Sequence, residues 1–183
     1  MNRTPIILLL LLLGLLASSG DGLAITGDIR KDPSSVVKAY LSLDAKGARL
    51  DALSYETLKP YTNWTQEISW GIVEVIDGYE VAESVKTWTV ISPTEVLIPV
   101  NYKILGTAEW EEVIFTPLVR VEHTVFRVKV IGDRWRIMDP VLPPHVGLKR
   151  MVNFVRMSML QETDTAKQAQ LTRLYEDLRK VGP

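Results

Sequence analysis

Glu95-Val96-Leu97-Ile98-Pro99-Val100-Asn101-Tyr102-Lys103-Ile104-Leu105-Gly106 is the stretch on which the reading of this chain turns. Val96, Ile98, Val100, Tyr102 and Ile104 fall on one side, and Glu95, Asn101 and Lys103 on the other. That two-residue alternation predicts a long strand with one dry face. Leu97 and Pro99 on the second face predict partial cover there, or an edge position. Downstream, Val119 to Ile131 predicts a second long strand whose alternation changes phase. Val119, Val121 and Val125 are odd-numbered, whereas Phe126, Val128 and Val130 are even. One face cannot take both sets without an extra residue, so a β-bulge is expected between His123 and Phe126. After a turn at Gly132-Asp133, Trp135, Ile137 and Met138 predict a last strand ending at Asp139-Pro140, with Pro143 and Pro144 stopping the sheet.

Upstream, Ile72 to Ile76 reads as a strand and Asp77-Gly78 as a turn into Tyr79-Glu80-Val81. Val85 to Ile91 follows, then the turn Ser92-Pro93-Thr94. Helices flank this strand-rich middle. Asp32 is placed to cap a first helix with Pro33 at its first position; Val36, Val37, Tyr40, Leu41 and Ala45 recur at helical spacing, and Gly47 is a stop. A short helical stretch through Leu50, Leu53, Leu58 and Tyr61 leads into Trp64 and Trp70. At the other end, one apolar stripe through Leu148, Met151, Val152, Val155 and Met159 and another through Leu171, Leu174, Tyr175, Leu178 and Val181 do not share a line. They predict a helical pair broken near Thr163-Asp164.

The first residues form a leader: Arg3, an apolar run from Ile6 to Leu13 and on to Leu16, then small and polar residues. The run is about half the ~20 residues a spanning helix needs, and its architecture is that of a secretory signal, with cleavage expected after Ser19 or Ala24. The chain therefore reads as an exported, periplasmic or secreted protein. It divides into a signal peptide at 1–24, an α+β domain at 25–146 and a C-terminal helical extension at 147–183. With no cysteine in the sequence, stability in an oxidising compartment must come from an ordinary core. A net charge of −1 argues against nucleic acid as the main partner. The charge is uneven, acidic between Asp51 and Glu80 and basic after Val146, so any membrane contact is expected only through the C-terminal helices. Two histidines and no cysteine make a zinc site unexpected, and there is no phosphate loop or nucleophile elbow. No metal or cofactor is therefore expected.

Helices, then curved strands, then helices predict a sheet closed over by helices. The capped first helix, the aromatic-bearing second stretch, the long strands and the closing Gly132-Asp133-Arg134-Trp135-Arg136-Ile137-Met138-Asp139 together resemble the NTF2-like (SnoaL-like) superfamily over about Asp32 to Asp139. The resemblance implies a cone-like α+β fold in which a curved antiparallel sheet wraps the N-terminal helices and leaves a pocket. It implies either a binding module or an isomerase- or dehydratase-type enzyme. On the residues, the leading expectation is a non-catalytic module that binds a small apolar ligand or a protein partner. Tyr61, Trp64, Trp70, Trp88 and Tyr102 are the expected pocket lining, although aromatic residues at such spacings also build cores. The alternative is a pocket enzyme using His123, at the expected bulge, or Asp139, at a strand end, as general base. Asp44 is read as an exposed residue near the end of the first helix in preference to a buried functional carboxylate.

Overall fold

The computed structural model describes residues 32–50, 55–65 and 70–181; the leader with its cleavage sites, Asp51 and Leu53 lie outside them. Helix α1 (Pro33–Ala45) begins as the sequence predicts. The Asp32 side chain accepts from the Ser34 backbone N–H at 2.9 Å and from the Ser34 and Ser35 hydroxyls, so an otherwise unpaired helix-start N–H is satisfied. Gly47 follows the helix end with φ +80°, a conformation glycine adopts without Cβ strain. The buried stripe is Val36, Val37, Tyr40, Leu41 and Asp44. A second helix, α2, is one turn long (Tyr55–Leu58).

Six strands form one strongly curled mixed sheet: β1 (Ile72–Val81), β2 (Thr89–Ser92), β3 (Glu95–Glu109), β4 (Ile114–Ile131), β5 (Arg134–Asp139) and β6 (His145–Gly147). The order is β5-β4-β3-β1-β6, with β2 also paired to β3. Every even-numbered residue of β3 from Val96 to Ala108 is buried, so the dry face read from the sequence is real. The curl has a local cause. Pairing shifts between Val75 and Ile76 on β1, between Ile104 and Gly106 on β3, and opposite these between Pro117 and Arg120 on β4. These irregularities form one crease across three strands: β3 carries an extra residue, Leu105, against β1, and β4 carries one more residue than β3, which bends the sheet and increases its twist. Gly106 lies in that crease because nothing larger fits: a Cβ there would meet the Thr116 carbonyl oxygen at 2.4 Å and the Phe115 ring at 2.6 Å.

The crease separates two cores. On one side, α1 and α2 bury Val36, Val37, Tyr40, Leu41 and Leu58 against Ile76, Val96 to Ile104, Phe126, Val128 and Ile137. On the other, α3 (Leu148–Gln161) and α4 (Thr165–Lys180) bury Met151, Val155, Leu171, Leu174 and Leu178 against Val73, Val75, Ala108, Phe115 and Val146. The break between α3 and α4 falls where the two stripes lose phase, and the Asp164 side chain caps α4 by accepting from the Lys167 N–H at 2.8 Å. No helix of the described residues is long and apolar enough to cross a membrane.

Four sequence expectations are corrected. The bulge is not between His123 and Phe126: β3 and β4 pair one for one from Glu95↔Lys129 to Ile104↔Arg120, and the irregularity lies at Pro117–Arg120. The odd-numbered valines need no inward face, since Val119, Val121 and Val125 stand exposed on the outer side of the sheet. Asp77-Gly78 is not a turn; β1 runs through it, and the pair absorbs a second shift between Ile76 and Gly78. Pro143 and Pro144 do not end the sheet. They deliver β6, which pairs parallel to β1 through Glu74↔His145 to Ile76↔Gly147, so the sheet is mixed rather than antiparallel. Val85–Thr87, within the segment read as a strand, is a single 3-10 turn before β2.

If the crease sets the curl, Gly106→Ala should destabilise the protein by about 1–3 kcal/mol, the usual cost of forcing atoms into filled space. A urea denaturation midpoint equal to that of the unaltered protein would contradict this.

Candidate functional site

The concave side of the sheet holds a buried polar cluster where a continuous apolar core would be the default. It begins on α1. Val36, Tyr40 and Asp44 are spaced i, i+4, i+8, so the geometry that buries the first two also carries the Asp44 carboxylate inward. The carboxylate is 1 % exposed and pairs with Arg49, itself 4 % exposed. Arg49 Nε and Nη2 donate to Asp44 Oδ1 and Oδ2 at 2.8 and 2.7 Å, a two-pronged carboxylate–guanidinium contact. The remaining guanidinium contacts go to Leu142 O (2.6 Å) and Pro143 O (3.0 Å). The His145 backbone N–H donates to Asp44 Oδ2 at 3.0 Å. The end of α1 is thereby bound to the Pro-rich strap before β6. The reading of Asp44 as exposed is corrected; its partner stands five residues on, beyond the helix-ending glycine.

Around this pair stand aromatic rings. Tyr40 meets Trp64 edge-on at 5.6 Å between centroids and tilts against Phe126 at 5.8 Å. The Arg49 guanidinium carbon lies 5.9 Å from the Tyr40 and Trp64 ring centroids, within the range of cation–π attraction. Trp64 is placed by the strand-like segment before it, where Asn63 N–H donates to Ile137 O and Ile137 N–H to Tyr61 O, and by the Tyr55 hydroxyl, which donates to Trp64 O at 2.9 Å. Tyr102, on the dry face of β3, stacks on the His145 ring at 4.0 Å.

Four polar atoms of this cluster are buried and bonded to no other protein group: Tyr40 Oη, Trp64 Nε1, Tyr102 Oη and His145 Nε2. Buried polar atoms are usually paired, and each unpaired one costs about 1–3 kcal/mol. Four on neighbouring side chains therefore mark a functional candidate. The histidine tautomer follows from its other nitrogen: Nδ1 lies 2.8 Å from Pro143 O, a carbonyl that can only accept, so Nδ1 carries the hydrogen and Nε2 an open lone pair. Glu122 Oε1 is 4.0 Å from Nε2. Glu122 also pairs with Arg120 at 3.2 Å, and Arg120 with Glu74 at 3.2 Å. This chain runs along the crease to the partly exposed rim of the cluster.

The protonation states are set by burial. Burial pushes the His145 pKa below its ordinary value, a shift that Asp44, the Pro143 carbonyl and Glu122 only partly oppose. Burial, reinforced by the Asp44 charge, raises the Tyr40 pKa. Burial, reinforced by Tyr40 and Asp44, holds Tyr102 well above the ordinary tyrosine value. For Arg49, burial alone would favour deprotonation, and the Asp44 carboxylate together with Tyr40 and Tyr102 more than reverses it. At neutral pH the cluster is thus a charge-balanced ion pair beside two neutral phenols, an indole N–H and a neutral imidazole.

Of the residues singled out from sequence, Trp64 and Tyr102 belong to this cluster. Tyr61 and Trp88 are half-buried against the same core, and the Trp88 indole N–H donates to Ala82 O at 2.6 Å. Trp70 is half-buried just ahead of β1. His123 is elsewhere: it faces outward on β4, its Nδ1 2.7 Å from Asn101 Oδ1. Asp139 is on the surface at the end of β5, where it accepts from Arg127 Nε at 2.6 Å. Sequence reasoning passed over Arg49 and His145; the i+4 spacing of Asp44 from Tyr40 was the available signal for Asp44, whereas nothing local announces the other two. Among the described residues no three His, Asp or Glu side chains are grouped as metal ligands would be. A groove of about 640 Å³ between Trp110 and the α3–α4 turn lies outside the cluster. Comparison with known protein families, with curated proteins and with solved structures matched none of them.

Linkage gives a signed prediction. An unfolded histidine takes up a proton near pH 6.5 while folded His145 resists it, so stability falls as pH drops below 6.5. Unfolded tyrosines lose protons near pH 10.0 while Tyr40 and Tyr102 resist, so stability also falls above 10.0. Denaturant titrations across pH should show both limbs, with His145→Gln flattening the acid limb and Tyr102→Phe the alkaline one. Unchanged limbs in these variants would contradict the assignment.

Proposed function

We propose that this chain is an exported, non-catalytic module of the NTF2-like (SnoaL-like) kind, which binds a small, largely apolar ligand on the concave side of its curled sheet. The observation that carries the reading is the set of four unpartnered buried polar atoms amid aromatic walls. A ligand with an apolar body and a few polar atoms would bury its surface on Tyr40, Trp64, Phe126, Tyr102 and His145 and pair with those atoms. The first helix held in a curled sheet supports the NTF2-like assignment, and the short apolar leader supports export. A protein partner would instead find its apolar surface on the outer face, at Val119, Val121 and Val125.

One observation favours a second reading, a pocket enzyme of isomerase or dehydratase type. His145 presents an open Nε2 lone pair beside the Tyr102 ring, with its tautomer fixed by Pro143, which is the state a general base needs. In that reading the base is His145, since His123 and Asp139 face elsewhere.

Protein purified from an exporting host, then denatured and extracted, should yield a small molecule by mass spectrometry in amounts near one per chain. The double variant Trp64→Phe, Tyr102→Phe should yield less. Extracts of the unaltered protein that contain no such molecule would overturn the ligand-binding reading.

A further inference from the structure

The hydrogen-bonding inventory of the cluster restricts what can occupy it, and this step rests on the ligand-binding reading above. Neither buried charge is available to a guest. The Asp44 carboxylate accepts from Arg49 Nε and Nη2 and from the His145 backbone N–H, and Arg49 is engaged by that carboxylate and by the carbonyls of Leu142 and Pro143. A charged guest would therefore be desolvated without a counterion of its own, and an uncompensated buried charge costs several kcal/mol.

What is unmet is neutral and of both signs. Trp64 Nε1 can only donate; the Tyr40 and Tyr102 hydroxyls can donate and accept; His145 Nε2, with Nδ1–H directed to Pro143 O, can only accept. A guest offering acceptors alone leaves His145 Nε2 orphaned, and one offering donors alone leaves the indole N–H orphaned. Beside the cluster, buried Glu74 and partly exposed Glu122 both face Arg120. This one excess acid disfavours anions further and makes a cation the rival to be excluded by experiment.

We infer that the site formed by Tyr40, Trp64, Tyr102 and His145 selects an uncharged molecule carrying both a hydrogen-bond acceptor and a hydrogen-bond donor, such as a carboxamide or a hydroxy-carbonyl compound. Carboxylates, phosphates and ammonium or amidinium compounds are selected against. The site discriminates by completing a neutral hydrogen-bond set beside an ion pair that is already closed.

Two sets of near-isosteric probes test this at two sizes: benzamide, benzoate and benzamidine, and acetamide, acetate and acetamidine. The amide has both an acceptor and donors, the carboxylate only acceptors, and the amidinium only donors. Each is titrated at pH 7.5 into the purified chain freed of small molecules, following heat and the Trp64 indole N–H resonance, which Trp64→Phe identifies by its loss. The expected result is that at least one amide binds and shifts that resonance, with its charged counterparts at least about tenfold weaker, a difference of about 1.4 kcal/mol. Tyr102→Phe should weaken the amide about fivefold, as loss of one neutral hydrogen bond does. A carboxylate or amidinium that binds as well as its amide overturns this inference while leaving the ligand site standing. Binding by none of the six overturns the inference, and if extraction also recovers no small molecule the ligand-binding reading falls with it.

Discussion

The buried ion pair between Asp44 and Arg49 is the constraint around which the concave side is arranged. Two charges almost wholly removed from water are tolerable only when their hydrogen bonds are complete, and completing them draws in distant parts of the chain. Asp44 brings the last turn of α1 and Arg49 the residues just after it. The Leu142 and Pro143 carbonyls bring the strap before β6, and the His145 backbone N–H brings β6 itself. Because β6 pairs with β1, the same contacts fix α1 to the sheet edge. The ion pair therefore positions the helix, fixes the orientation of His145, and leaves its own charges unavailable to anything else.

The crease complements this. By bending β1, β3 and β4 along one line, it allows a single sheet to serve two cores, one under α1 and one under α3 and α4. The even-numbered face of β3 contributes to both, Tyr102 and Ile104 before the bend and Ala108 after it. Polar groups collect where the cores meet: Glu74, Arg120 and Glu122 connect that seam to His145.

Much of the architecture was legible in the sequence because it rests on local rules. The Asp32-Pro33 start, the Gly47 stop, the dry face from Val96 to Ile104 and the phase break between Met159 and Leu171 each follow from periodicity or capping. The errors came where pairing partners decide. The odd valines of β4 were assumed to need burial, yet an outer face can leave Val119 and Val121 in water, so the bulge was sought in the wrong place. Asp77-Gly78 has turn chemistry, but pairing with Lys103 and its neighbours keeps β1 extended through it. Of the site, Trp64 and Tyr102 were found as large aromatic residues, and Asp44 was weighed as a buried carboxylate but placed on the surface. Arg49 and His145 derive their importance from each other's surroundings across 90 or more residues of chain, a relation that spacing cannot reveal.

A double-mutant cycle on the ion pair tests the account most directly. Asp44→Leu and Arg49→Met should each cost about 3–5 kcal/mol of unfolding free energy, because each strands a buried charge. The double variant should lose much less than the sum, since the second substitution removes the stranded partner. Single losses below about 1 kcal/mol, in the range of exposed pairs, or strictly additive losses would contradict the claim that this pair organises the concave side.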